Sequence, residues 1–242
     1  MLPRFLAVID PATGVARLTE DEGRHLAQVL RLTAGDEIAV FDGAGREFRA
    51  RVEQIARDGV SVRLLEEIAA APEPAVRVTL AQAALKGEKM DDVVRDATMM
   101  GVSAIEPLVT EHTAAHLKAG RAPERWRRIA VASAKQCRRA VVPRIGEGTA
   151  FSDWIAADGA SLRVILVEPS VRVEGHPAST LAGDRPADAT ILIGPEGGWS
   201  GGEVDAAVAA GYIPITLGRR TLRADAMPIV ALGVLQYLWS DL

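Results

Sequence analysis

Between Ile191 and Arg223 two short apolar runs each lead into a glycine-punctuated loop, and this alternation limits the possible folds more than anything else in the chain. The first is Ile191-Leu192-Ile193 followed by Gly194-Pro195-Glu196-Gly197-Gly198-Trp199-Ser200. The second is Ile213-Pro214-Ile215-Thr216-Leu217 followed by Gly218-Arg219-Arg220-Thr221-Leu222-Arg223. Short β-branched runs bounded by Gly or Pro suit strands of a parallel sheet buried on both faces. Between them, Ser200 and Glu203 have capping-box spacing and Gly211 stands where a helix would stop. The pattern predicts a strand–loop–helix–strand–loop unit. Ligands of such sheets bind beyond the carboxyl ends of the strands, where both loops would lie.

The residues in the loops narrow the ligand. Glycines let a ligand approach the backbone closely. A phosphate cradle would present only donors and positive charge, yet Glu196 occupies the middle of the first loop. Neither a Walker motif nor G-x-G-x-x-G occurs anywhere in the chain. A nucleoside without phosphates, or a ligand carrying positive charge, fits better.

The 242 residues allow one large or two modest domains. No apolar run is long enough to span a membrane, and no signal peptide opens the chain. Cys137 is the single cysteine, which excludes an internal disulfide and suits a reducing, cytoplasmic setting. The four histidines, His25, His112, His116 and His176, show no metal-ligand spacing, so no metal is expected. Net charge is −4, but from Lys118 to Arg144 nine cations meet a single acid, Glu124, leaving −12 on the rest of the chain. So concentrated a basic run is the footprint of a phosphate backbone, and Arg125, Arg128, Arg138 and Arg139 are its candidate RNA contacts.

Before residue 70, Thr19 and Glu22 predict a capped helix reaching about Leu32. Alternating strands follow at Glu37–Phe41, Glu47–Ile55 and Val60–Leu65, the pattern of a small β-barrel. His25 and Arg31, exposed on that helix, are either further candidate RNA contacts or ordinary surface residues. A Pro-containing linker, 69–74, leads to alternating strands and helices: strands at Val76–Ala81, Ala104–Val109 and Val164–Val167, and a basic helix over Pro123–Ala140. Pro107 places its strand near a sheet edge. The closing helix, Met227–Trp239, is apolar almost all round, so it is either a central core helix or a subunit interface.

Gly194-Pro195-Glu196-Gly197-Gly198, Leu217-Gly218 and Leu222-Arg223-Ala224-Asp225 closely resemble the signature of the RsmE family. Arg24-His25-Leu26, Val29-Leu30-Arg31-Leu32, Gly35-Asp36, Phe41-Asp42-Gly43, Lys86–Asp91 and Gln136-Cys137 match in order. That family comprises SPOUT-superfamily enzymes that methylate N3 of a uridine in 16S ribosomal RNA with S-adenosyl-L-methionine. The resemblance implies an α/β fold, with a PUA-like β-barrel RNA-binding domain (1–70) preceding a trefoil-knotted parallel-sheet domain (71–242). It also implies a homodimer acting on 16S rRNA within the small ribosomal subunit. By resemblance the cofactor-binding residues are Leu166, Gly194, Pro195, Gly197, Gly198, Leu217, Gly218 and Leu222. Arg223 would stabilise charge developing on the base, with Glu196 and Asp225 as positioning groups or proton acceptors. The chain departs from the family pattern at Ala226-Met227-Pro228, where Thr-Ala is usual, at Met99-Met100-Gly101, where an acidic residue usually precedes Leu-Gly, at Lys135, where Glu is common, and at Arg138, where Gly is usual. A methyltransferase acting on a ribose 2′-hydroxyl or another base, and a non-catalytic RNA-binding assembly factor, remain the alternatives.

Overall fold

The computed structural model describes residues 2–57, 59–113, 122–169, 175–183 and 185–241. Lys118 and Arg121 of the basic run, and His116, lie outside the described residues. The chain forms two compact units, Met1–Glu73 with Val131–Val142, and Pro74–Ala130 with Pro143–Leu242.

The first unit is a closed five-stranded barrel of β1 (Arg4–Asp10), β2 (Val15–Leu18), β3 (Glu37–Phe41), β4 (Glu47–Ala56) and β5 (Gly59–Ile68), in the order β1-β2-β5-β4-β3. Neighbouring strands run antiparallel except for β1 and β3, whose parallel pairing closes the barrel. Inward-facing Phe5, Leu26, Ile38, Val40, Phe48, Val52 and Val62 fill it. The expected Thr19 capping box does not form. Helix α1 (Glu20–Arg24) starts without a side-chain cap and continues as a π-helical turn over His25–Val29. The Glu22 carboxylate is drawn elsewhere: it accepts from Lys135 Nζ at 2.7 Å and from the Leu6 amide at 3.2 Å.

One buried cation organises this unit. Arg4 Nε and Nη2 donate to the two oxygens of Glu47 at 2.7 and 2.9 Å. Its remaining hydrogens reach the carbonyls of Ala134, Lys135 and Arg139 at 3.0–3.1 Å. Ala134 and Lys135 lie in the last turn of α3 (Ala122–Cys137) and Arg139 just beyond it, so the guanidinium both satisfies orphan acceptors and complements the helix dipole. Just past that helix end, Arg138 occupies the left-handed region at φ 69, the position glycine usually takes. Arg31 is likewise left-handed, at φ 55.

The second unit is an all-parallel sheet with eight strands. Its main order is β11 (His176–Pro177), β13 (Ile213–Thr216), β10 (Leu162–Leu166), β12 (Asp188–Ile193), β6 (Arg77–Ala83), β7 (Ala104–Val109) and β8 (Arg144–Ile145), and β9 (Thr149–Ala150) also pairs with β7. The central strands are buried over Val164–Leu166 of β10 and Ala189–Ile193 of β12, where their residues are largely apolar. Ile165, Leu192, Val204 and Tyr212 share a core cluster with Phe151 and Ile155 of α4 (Phe151–Ala157), while α2 (Lys89–Met99) packs against α6 (Met227–Leu238). Pro107 is not on a bare edge: β8 pairs with Ala104–Ile105 and β9 with Leu108–Val109, so the proline falls in the gap between two short partners. β13 lies between β10 and β11, strands laid down earlier in the chain.

Candidate active site

The loops after β10 and β12 enclose a cavity of about 400 Å³ at the carboxyl ends of the strands. Leu166, Val167 and Glu168 line it from β10, and Ile193 through Trp199 from β12. Thr221–Asp225 and Met227 line it from the segment entering α6, and Lys89 from the first turn of α2. The sequence-derived residues Leu166, Gly194, Pro195, Gly197, Gly198 and Leu222 therefore converge here, together with Glu196, Arg223 and Asp225. Leu217 and Gly218 do not line the cavity: the chain turns at Gly218 (φ 92) and comes to the cavity wall only from Thr221 onward.

The glycine loop is held from several directions. Trp199 Nε1 donates to the Leu166 carbonyl at 2.9 Å, tying the loop to the end of β10. The fully buried Gln82 of β6 donates to the Gly194 carbonyl at 3.3 Å. Beyond the loop, α5 (Gly201–Ala209) begins with the expected capping box, Glu203 N to Ser200 Oγ at 3.2 Å and Ser200 N to Glu203 Oε2 at 2.9 Å. The other oxygen of Glu203 accepts from the Glu111 amide at 2.9 Å, and the next residue, His112, donates from Nδ1 to the Gly198 carbonyl at 3.0 Å. The glycines are required sterically. A Cβ on Gly197 would lie 3.0 Å from His112 Cβ, and Gly198 is left-handed at φ 70, facing Glu168.

Charge in the cavity comes in pairs. Lys89 Nζ lies 2.8 Å from Glu196 Oε1, which also accepts from the Lys86 amide at 3.3 Å. Burial raises the Glu196 pKa, but these donors outweigh it and hold the carboxyl below its ordinary range. Arg223 binds Asp225 through two parallel bonds, Nε–Oδ1 at 3.0 Å and Nη2–Oδ2 at 2.8 Å. Those bonds from Arg223 lower the Asp225 pKa. Both carboxylates are therefore ionised and engaged, so they are weak proton acceptors as they stand. Among the described residues, three carboxylates (Glu168, Glu196, Asp225) line the cavity against two cations (Lys89, Arg223). That balance, with the apolar surfaces of Leu166, Ile193, Leu222 and Met227 and the exposed backbone of the glycines, fits a cationic nucleoside such as S-adenosylmethionine.

A family model described as an RNA methyltransferase domain matches residues 72–236, and one described as an RNA methyltransferase PUA domain matches 18–65. Ribosomal RNA small subunit methyltransferase E from Synechocystis is 33% identical over 222 residues, covering 91% of this chain and 72% of that protein. Its counterpart from Mycobacterium tuberculosis is 31% identical, covering 95% of this chain and 89% of its own length. The chain belongs to the ribosomal RNA small subunit methyltransferase E family. Among solved structures of the same fold, the methyltransferase E of Neisseria gonorrhoeae bound to S-adenosyl methionine superposes with a TM-score of 0.84 at 26% identity, covering 99% of this chain and 98% of that one. A Legionella pneumophila methyltransferase in complex with SAM gives 0.87 at 29% identity, covering 98% of each chain. The PUA-like barrel and SPOUT-type parallel sheet expected from sequence are thus the fold of this methyltransferase E family member.

The basic run differs from expectation. Its acids come from distant sequence: Arg125 pairs with Asp91 and Glu88, Arg127 with Glu147, Lys135 with Glu22 and Arg144 with Glu106, besides the local Arg128–Glu124 pair. Arg139 is buried and paired with Glu73, so its guanidinium serves the barrel unit and is not presented to a ligand. His25 is half-buried against the Phe5 ring at 6.2 Å. Arg31 and Arg138 are exposed, with no carboxylate partner among the described residues. Sequence reasoning missed Lys89, Glu168, Trp199, Thr221 and Met227 as cavity residues. The position of Lys89 just after β6, a neighbour of β12, was the available signal.

Among the described residues no helix is long and apolar enough to cross a membrane, and no cluster of three or more metal-ligating side chains occurs.

Proposed function

We propose that this chain methylates N3 of a uridine in 16S ribosomal RNA of the small ribosomal subunit, using S-adenosylmethionine. The observation that carries the reading is the cavity: a glycine loop, a net negative lining and an exposed, oriented arginine at one set of strand ends. It is joined to the names and bound ligand of family members similar to this chain along nearly its whole length. S-adenosylmethionine, when bound, supplies an electrophilic methyl group on a positively charged sulfur. Gly194, Gly197, Gly198 and Leu222 hold it, chiefly through backbone and apolar surface. Uridine N3 lies between two carbonyls, and its anion is the competent nucleophile. Arg223, oriented by Asp225, stabilises charge spreading onto those oxygens, while Glu196 ties the glycine loop to the start of α2. N3 is on the pairing edge, so the base must be unpaired or extruded.

Exposed Arg31 and Arg138, with His25, are the RNA contacts of this reading. Arg125 and Arg128 contribute only by exchanging their carboxylate partners for phosphate. On α6, Ile229 and Val230 are partly exposed and Tyr237 is 75% exposed, an apolar surface that supports a homodimer. The insertion of β13 between β10 and β11 supports a knotted path, and the substrate implies a cytoplasmic location.

The test incubates purified protein and labelled S-adenosylmethionine with small subunits from cells lacking this protein, then identifies the labelled nucleoside. Label in 3-methyluridine is expected. Label in a ribose-methylated or other nucleoside overturns the specificity, and no label with intact subunits and cofactor overturns the activity.

A further inference from the structure

The uridine N3 anion shares its charge between two oxygens, one on each side of the attacking nitrogen. A single cation can face only one of them at close range. The cavity offers two, Arg223 from the segment entering α6 and Lys89 from the first turn of α2. Each is held by one carboxylate, Asp225 or Glu196, and Lys89 also acts electrostatically on Asp225, so the four side chains form one alternating network. Glu168 is the remaining charged group in the lining among the described residues. Lys89 is only 37% exposed and is the first residue of α2, at the positive end of the helix dipole, with Asp91 and Asp92 in the same turn.

We infer that Lys89 is a catalytic residue of the methyl transfer, the second cation that stabilises the uracil anion opposite Arg223. The inference rests on the uridine-N3 reading above. In the step, the N3 proton leaves to water, the N3 lone pair forms the new bond to the methyl carbon, and the electron pair of the breaking C–S bond returns to sulfur. Two facing cations also select the base: uracil presents carbonyl acceptors on both sides of N3, whereas cytosine presents an amino donor on one side, which a cation repels.

Lys89→Met and Lys89→Arg are compared with the unaltered protein on small subunits lacking the modification. Turnover is followed against pH, and S-adenosylmethionine affinity is measured separately by calorimetry on the free protein. Removing a preorganised charge of this kind is expected to lower kcat about 10²–10³-fold at neutral pH. The deficit should narrow as pH rises and N3 ionises unaided. Lys89→Arg should recover most of the loss. Cofactor affinity should change by no more than about fivefold, the scale of an exposed ion pair. An unchanged kcat in Lys89→Met overturns the inference, as does a deficit constant across pH that parallels lost cofactor affinity. Failure of the unaltered protein to form 3-methyluridine would instead overturn the functional reading on which the inference depends.

Discussion

Two arginine–carboxylate pairs in this molecule share the same bidentate geometry and differ in almost everything else. Arg4 and Glu47 in the barrel unit have side chains only 6% and 8% exposed, and Arg4 spends its remaining hydrogens on backbone carbonyls. Arg223 and Asp225 at the cavity are 72% and 19% exposed, and no other protein group is bonded to the Arg223 guanidinium among the described residues. A buried pair is locked because breaking it strands a charge in low dielectric. An exposed pair contributes little to stability, and its arginine can turn toward a substrate at small cost. Burial, not pairing, separates a structural arginine from one available for chemistry.

The largest expected effect comes from breaking the buried pair. Arg4→Leu leaves Glu47, two α3 carbonyls and the Arg139 carbonyl without their donor and should cost about 3–5 kcal/mol, read as a lowered denaturation midpoint in urea. A loss below about 1 kcal/mol would mean that the pair is no different from a surface one. Next comes Glu203→Ala, which removes the α5 capping box and the acceptor for the Glu111 amide. It should cost about 1–2 kcal/mol and weaken S-adenosylmethionine binding through the loosened glycine loop. Unchanged affinity would show that Glu203 supports only the helix.

Arg138 sharpens the contrast in the opposite direction. It is exposed and left-handed, so Arg138→Gly should raise stability by about 1 kcal/mol by relieving backbone strain while weakening binding to small subunits. A stabilised variant with undiminished binding would remove Arg138 from the RNA-contact set. The smallest effect concerns pH. The Arg223 bonds lower the folded-state pKa of Asp225, so its contribution is fully present above the ordinary carboxylate range and is lost as pH falls through the lowered value. Arg223→Ala should therefore show a slightly shallower fall of thermal midpoint on acidification than the unaltered protein.

How far the sequence could be read depended on whether a signal was local. Ser200/Glu203 and Thr19/Glu22 have the same spacing, yet only the first forms a capping box. Glu22 is claimed by Lys135, 113 residues away, which no window around Thr19 contains. The basic run misled for the same reason. Counting acids within it found only Glu124, while Glu22, Glu73, Asp91, Glu106 and Glu147 arrive from elsewhere. The glycine loops were legible because backbone approach demands glycine at fixed local positions, and most of the cavity wall followed from them. Lys89 and Glu168 were not legible in that way, since they reach the cavity only through the order in which parallel strands are paired. Strand β1 lacks the alternation of a barrel strand, because Phe5–Ile9 is apolar throughout although Val8 is exposed, while the charged end residue Arg4 is buried with its guanidinium fully satisfied inside the fold.

The most direct test of this division of labour measures kcat on small subunits and the thermal midpoint for one preparation of Arg223→Ala. The account predicts a kcat lower by about 10²–10³-fold with stability changed by less than about 1 kcal/mol. A variant that loses stability in proportion to its activity, or that keeps full turnover, would contradict it.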